Sequence, residues 1–175
     1  MAKQEASVKL SDEELRGLLR VIEIDEGFIE SLEKLVDSQR AWLFDAAMGK
    51  PKQLSEEERG HAAYIFGRLS SPAEIHKVEA LARADSWIVR GNAIEAIGRM
   101  SGQEAGDLLV KLVDDPSRPP VERLHILRSL RSMIDDRTVE QLQQMDLARQ
   151  PDELQYGVSL ILEAHRKPRR APGAP

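Results

Sequence analysis

Two stretches of the chain repeat each other at a fixed spacing of 31 residues. Residues 59–70 read RGHAAYIFGRLS and residues 90–101 read RGNAIEAIGRMS, with the Arg-Gly pair, one Ala, the Gly-Arg pair and the last Ser identical. A period of about 20–50 residues is typical of stacked repeats, whose units bury their apolar faces against one another because each lacks a complete core. The sequence therefore predicts a stack of similar units.

Each unit is predicted to be a pair of helices. In the first unit, the capping box Ser55 to Glu58 starts one helix and Ser71 starts its partner. In the second unit, residues 87–100 and 103–113 carry apolar side chains at helical spacing. No segment alternates with the period of a strand, so we expect an all-α fold.

A third unit follows the same pattern less closely, at an offset of 33 residues. Arg90 then corresponds to Arg123, and the two extra residues fall in the proline-containing link 115–120. The second helix of this unit is predicted over 136–149. A last helix over 152–165 is expected to close the stack.

The residues before the repeats are also predicted to be helical. A capping box at Ser11 starts one helix, whose apolar stripe reaches Ile22, and a longer helix ends near Met48. The expected organisation is a flexible N-terminus over 1–10, a single α-solenoid domain over 11–165 and a disordered basic tail over 166–175. Within that domain, 11–49 would be an N-terminal helical cap and 55–165 the repeats.

Composition narrows the class of protein. The formal net charge of −5 disfavours nucleic acid as a partner, since a polyanion would be repelled. The chain has no cysteine, and no apolar run approaches the roughly 20 residues that span a bilayer. We therefore expect a cytoplasmic protein that binds neither membranes nor nucleic acid.

Nothing in the sequence predicts a catalytic, cofactor-binding or metal-binding site. No two of the 4 histidines have the i, i+4 spacing of metal ligands on one helix. The carboxylate pairs at 114–115 and 135–136 lie between helices, where caps and solvated turns explain them. The chain is thus predicted to be non-enzymatic and to use no cofactor.

The second unit carries a recognisable motif. It consists of Asp85, Val89 next to Arg90, the small Ala93 and Gly98 near the end of the first helix, followed by a leucine-rich second helix. This pattern resembles a HEAT-like repeat of the phycobilisome-lyase type, and the resemblance covers about residues 55–165. It implies an α-solenoid of helical hairpins in a bacterial-type protein.

The resemblance also implies a structural role for the repeated arginine. Arg59 and Arg90 lie in the first turn of a helix, where the helix dipole favours anions rather than cations. In the family such an arginine commonly bonds to the acidic turn of a neighbouring unit. Asp85 and Asp114 are the candidate partners here.

Stacked helix pairs align their second helices along one concave side, which is the natural binding surface. We expect its outward residues to contact a partner, together with the large amphipathic Trp87 at the start of the second unit. The predicted contact residues are His76, Lys77, Arg83, Trp87, Asp107, Lys111, Glu140, Gln141 and Gln144.

These features predict a non-enzymatic scaffold or adaptor, regulator or inhibitor that binds another protein. Two alternatives are a bilin lyase or isomerase, which the resemblance implies, and a helical-repeat DNA-binding protein. The expected oligomeric state is either a monomer or a homodimer. The N-terminal helices either cap the stack or form a dimer interface through Trp42 and Leu43.

Overall fold

The computed structural model describes residues 10–20 and 24–166, and this part of the chain is built from α-helices joined by short turns and by the short 3-10 helices Pro72–Glu74 and Leu147–Arg149. The helices are α1 (Asp12–Leu18), α2 (Glu26–Leu32), α3 (Asp37–Ala47), α4 (Glu56–Leu69), α5 (Ile75–Leu81), α6 (Trp87–Ile97), α7 (Gln103–Asp114), α8 (Pro120–Leu130), α9 (Asp136–Gln144) and α10 (Asp152–Arg166). No strand occurs within these ranges, which confirms the predicted all-α class.

The helices form two rows, as a solenoid requires. The first row holds α4, α6 and α8, each in contact with the next, and α10 extends it by packing against α8. The second row holds α5, α7 and α9. The predicted apolar stripes lie between the rows: Val78 and Leu81 of α5 and Leu109 and Leu112 of α7 are fully buried. The α-solenoid prediction is therefore confirmed.

One prediction for the N-terminal region is wrong. The longer helix expected to end near Met48 is two helices, because the backbone is extended at Val36 and α3 starts afresh at Asp37. The Val36 amide donates to Gln39 Oε1 at 3.1 Å, and Gln39 Nε2 donates to the Leu10 carbonyl oxygen at 3.0 Å. Gln39 is buried, so these bonds satisfy groups that would be costly to leave unpaired.

Smaller differences occur toward the C-terminus. The helix predicted to reach Arg149 ends at Gln144, where the backbone becomes extended at Met145. Arg166, expected to begin a disordered tail, is the last residue of α10. The predicted stripe residue Ile22, the N-terminal segment 1–9 and the rest of the tail, 167–175, lie outside the described residues.

The N-terminal helices pack on the repeats. Leu43 is fully buried, and Trp42 lies against the same core where α3 packs on α4. The Leu43 side chain is therefore occupied within the chain and offers no surface to a second copy.

Glycines allow α4 and α6 to approach closely. A Cβ built on Gly67 would lie 2.6 Å from the Cβ of Ala96, and one built on Gly60 would lie 2.7 Å from Cγ2 of Ile88. Both distances are well inside van der Waals contact. The two repeated glycines of the first unit thus set the spacing between the first two hairpins.

The repeated arginine bonds to backbone carbonyls. Arg59 Nε donates to Ala47 at 3.2 Å, Arg90 Nη1 donates to Ala84 at 2.8 Å, and Arg123 Nε donates to the Val113 carbonyl. Each of these oxygens lies at or just beyond the C-terminal end of a preceding helix, where carbonyls lack partners within the helix.

The expected bond to Asp85 forms, but through the backbone oxygen rather than the carboxylate. Arg90 reaches the backbone oxygen of Asp85, at 2.8 Å, and its carboxylate partner is Glu122 of the next unit, 3.0 Å away. The arginine joins consecutive hairpins through a helix end, which is a structural role as the sequence suggested.

Glu26 of α2 ties the N-terminal region to two repeats. Its carboxylate lies 2.6 Å from Arg68 and 2.9 Å from Arg99, which occupy equivalent positions in the first and second units. The hydrogen bond from Arg68, assisted by Arg99, lowers the pKa of Glu26 to about 2. The interaction thus depends on this carboxylate remaining ionised.

Replacing Gly67 with Ala is expected to destabilise the fold. An alanine normally stabilises a helix interior by about 1 kcal/mol relative to glycine, but overpacking costs about 1–3 kcal/mol, and the Ala96 Cβ cannot move without shifting α6. Urea denaturation should give a lower free energy of unfolding for Gly67→Ala. The control is Gly17→Ala, since a Cβ on Gly17 meets nothing within 4 Å. Equal stability of the two variants would contradict the close approach.

Acid titration should reveal the Glu26 ion pairs. Since the folded pKa of about 2 lies below the value of 4.5 for an unperturbed glutamate, the stabilisation is fully present above pH 4.5 and is lost as the pH falls toward 2. The stability difference between the wild-type protein and Glu26→Gln should shrink over that window. NMR titration should show that Arg68→Gln raises the pKa of Glu26 more than Arg99→Gln does. A pKa near 4.5 in the wild-type protein would refute the pairing.

Candidate partner-binding surfaces

The outer side of α5 and α7 carries ion pairs that cross from one helix to the next. Lys111 Nζ lies 2.9 Å from Glu79 Oε1, and Arg83 lies 3.3 Å from Glu79 and 3.4 Å from Asp115. The Lys111 ammonium, with help from Arg83, lowers the pKa of Glu79. Two predicted contact residues, Arg83 and Lys111, are thus brought together through one carboxylate.

A second cluster joins α7 to α9. Asp107 accepts from Arg137 Nη2 at 2.8 Å and from Gln141 Nε2 at 2.9 Å. Asp107 and Gln141, also predicted contact residues, therefore bond to each other. We call the surface formed by Glu79, Arg83, Asp107, Lys111, Arg137 and Gln141 the second-helix face.

The remaining predicted residues of this row are dispersed. Lys77 lies 3.3 Å from Glu74 at the start of its own helix. His76, Glu140 and Gln144 are exposed. The second-helix face is thus a charged surface whose central side chains already satisfy one another.

Trp87 does not belong to this face. It lies at the start of α6 with 70% of its surface exposed, at the edge of a cleft of about 450 Å³ between α6 and α8. Val121 at the start of α8 is 75% exposed and lines the same cleft. The sequence prediction therefore grouped Trp87 with residues of a different row of helices.

The cleft exists because α6 and α8 pack closely near their C-terminal ends but not near their N-terminal ends. A Cβ on Gly98 would lie 2.9 Å from the Cβ of Ser129, so the helices are in close contact there. A Cβ on Gly91, two turns earlier, would meet nothing within 4 Å, although His125 Nε2 comes within 3.4 Å of the Gly91 carbonyl oxygen. The two helices therefore diverge toward their N-terminal ends.

Comparison with the first two units explains the divergence. Ile88 packs onto Gly60, but its counterpart in the third unit, Val121, leaves Gly91 uncovered. The two extra residues of the third unit lie in the link that leads into α8, next to this end of the helix. We infer that the longer link lets the start of α8 sit away from α6.

A second cleft of about 560 Å³ lies between α8 and α10. The glycines of the first two units correspond in the third to Leu124 and Arg131, and both of these larger residues line this cleft. On the other wall, a Cβ on Gly157 would lie 3.0 Å from Leu127, so the helices still approach closely at that point. Leu160, 47% exposed, lies beyond the close approach.

The two clefts share Leu124 and Arg128 and form one continuous surface along α6, α8 and α10, which we call the first-helix groove. Its walls combine apolar side chains with arginines at the rim. The residues lining it are Trp87, Arg90, Gly91, Pro119, Val121, Glu122, Leu124, His125, Leu127, Arg128, Arg131, Gly157, Leu160, Ile161, Glu163 and Ala164.

The arginines of the groove differ in their partners. Arg90 forms an ion pair with Glu122, and Glu122 forms a second ion pair with the buried Arg118. Arg128 and Arg131 are exposed, and their guanidinium groups have no ion pair or hydrogen bond to any residue in the described ranges. The groove therefore presents two guanidinium groups that can bind an anion.

The polar groups provide no arrangement for metal binding. Within residues 10–20 and 24–166, no group of three or more His, Asp or Glu side chains converges in a way that could hold a metal ion. In the same ranges, no helix is both long and apolar enough to cross a bilayer.

Comparison with protein families identifies the class. A family model described as HEAT repeats matches residues 41–131, which is slightly more than half of the chain, and the chain belongs to this family. The match confirms the HEAT-like resemblance. HEAT repeats commonly mediate protein–protein interaction and are generally non-enzymatic scaffolds. No curated protein and no solved structure matched the chain in the other two comparisons.

Sequence reasoning missed the first-helix groove, although two signals for it were present. One is the lengthened link before α8, and the other is the replacement of both repeated glycines by Leu124 and Arg131. Both changes interrupt the close packing that the first two units share.

Alanine at the equivalent positions Gly60 and Gly91 should have opposite effects. Gly60→Ala drives a Cβ into Ile88, so overpacking of about 1–3 kcal/mol should exceed the gain in helix propensity. Gly91→Ala faces open space and should stabilise the protein by about 0.5–1 kcal/mol. Thermal and urea unfolding of both variants would measure this. If Gly91→Ala destabilised the protein as much as its counterpart, α6 and α8 would have to be closely packed at this point.

Proposed function

We propose that this chain is a non-enzymatic interaction module that binds a partner protein through the first-helix groove, acting as an adaptor, regulator or inhibitor in the cytoplasm. The single observation that supports the groove is its exposed apolar surface, in which Trp87 and Val121 are 70% and 75% exposed. Contiguous apolar surface with a polar rim is typical of interaction sites.

The composition of the groove suits tight protein recognition. Tryptophan and arginine are the residues most enriched at the energetic centres of interfaces. Trp87 lies at one end of the groove, and Arg128 lies where its two clefts meet. A partner that covered these side chains would remove apolar area from water at about 25 cal/mol per Å².

The second row of helices, with the second-helix face at its centre, is the alternative contact surface. Its predicted contacts are His76, Lys77, Arg83, Asp107, Lys111, Glu140, Gln141 and Gln144. Five of these side chains bond to one another or to neighbouring side chains. A partner would have to replace those ion pairs, and exposed ion pairs contribute little net affinity. The groove has no comparable bonds to break along its apolar walls.

Site-specific photo-crosslinking in cells distinguishes the two faces. We expect p-benzoyl-L-phenylalanine in place of Val121 or Leu160 to give a discrete heavier adduct, because both positions line the groove. The matched controls replace His76 or Gln144, which are exposed on the other row. Denaturing gels and mass spectrometry of the adducts would identify the crosslinked protein.

The outcomes separate cleanly. Adducts from positions 76 and 144 alone would move the contact to the second-helix face, and their absence from all four positions would contradict the interaction role. A turnover activity lost on mutating clustered polar residues, or a change in visible absorbance on adding a bilin, would contradict the non-enzymatic assignment.

A further inference from the structure

We propose that the ligand of the first-helix groove is an acidic amphipathic helix of a partner protein, whose apolar side chains fill the clefts and whose carboxylates bind Arg128 and Arg131. This inference rests on the proposed function and specifies the chemistry of the partner. Three features of the groove support it: its helical walls, its unpaired arginines and its open floor at Gly91.

The walls of the groove favour a helix over an extended peptide. They are formed by α6, α8 and α10, whose backbone amides and carbonyls are bonded within each helix. An extended peptide would therefore find no free edge with which to pair its own backbone. A helix satisfies its backbone internally and offers apolar side chains at i, i+3, i+4 and i+7, which is the pattern of helix-in-groove recognition.

The arginines select the charge of that helix. Arg128 lies in the last turn of α8 and Arg131, three positions later, is its C-cap with a helical backbone conformation, so the two project from one side, and both line the second cleft. Neither guanidinium group has a partner among the described residues, whereas that of the neighbouring Arg90 is paired with Glu122. Guanidinium groups pair with carboxylates in a bidentate geometry, so glutamates beside the apolar stripe of the ligand would occupy them.

The surroundings of the groove agree with this charge. Glu163, on the opposite wall, is the only other charged lining residue without an ion pair in the described ranges, so the unpaired charges of the lining sum to +1 in a chain of net charge −5. The basic segment 166–175 of the chain itself contains no acidic side chain and would be repelled by both arginines. An acidic ligand is thus favoured locally, against the overall charge of the molecule.

The test is fluorescence polarisation with two labelled peptides of equal length and helicity. Both carry leucines at i, i+4, i+7 and i+11, and one has glutamates where the other has lysines. We expect the acidic peptide to bind the full chain at least about tenfold more tightly, and its affinity to fall as salt rises. Arg128→Glu and Arg131→Glu should each weaken it about tenfold. Lys52→Glu, the same charge change at an exposed site outside the groove, should not.

A second variant tests the groove independently of charge. Gly91→Leu places a side chain in the cleft from a position where a Cβ meets nothing within 4 Å, so the fold should persist while peptide binding is lost. Circular dichroism and unfolding would verify that this variant is folded.

The possible failures are distinguishable. Equal binding of both peptides, or equal weakening by Lys52→Glu, would overturn the charge preference but leave groove docking and the proposed function intact. Binding that survives Gly91→Leu would overturn the groove as the site. Dimerisation of the chain in light scattering that Gly91→Leu abolishes would assign the groove to a second copy and likewise overturn the proposal. Loss of the interaction role itself would appear only in the crosslinking experiment.

Discussion

The close approach of α4 and α6 is the constraint on which the rest of the molecule depends. Two glycines one above the other, Gly60 and Gly67, allow the side chains of α6 to enter the surface of α4. Adding even one methyl group to a contact packed this densely lowers the stability of the fold. The N-terminal helices pack against this pair, since α3 contacts α4 and Glu26 bridges the equivalent arginines of the first two units. Arg59 and Arg90 then connect each hairpin to the carbonyl oxygens at the end of the preceding one.

The candidate site lies where the close packing between neighbouring first helices is interrupted. In the third unit, the glycines become Leu124 and Arg131, and the longer link displaces the start of α8. Surface that the first two units bury against each other is left facing solvent, with Trp87 and Val121 at its edge. Function in a repeat protein is thus expected at a departure from the repeat, because the regular units are committed to one another.

The fold was predictable from sequence because its signals are local and repeated. Helical spacing, capping boxes at Ser11 and Ser55 and the 31-residue period fix most helices and their order. The break at Val36 was not predictable, since it depends on Gln39 reaching the distant Leu10 carbonyl. The contact residues chosen from sequence assumed a uniform stack. Under that assumption, neither the ion pairs between neighbouring units, such as Lys111 with Glu79, nor the divergence of α6 from α8 could be predicted.

The contact of Gly98 with Ser129 has a mechanical consequence. At that end Ser132 also donates to the Gly98 carbonyl oxygen at 2.9 Å, whereas at the other end α6 and α8 are joined by polar contacts, the ion pair of Arg90 with Glu122 and the contact of His125 with the Gly91 carbonyl oxygen. Rotation about the packed end would have to break the Arg90–Glu122 ion pair before it widened the cleft. A side chain that enters the cleft thus meets walls whose separation is set by packing at one end and by an ion pair at the other.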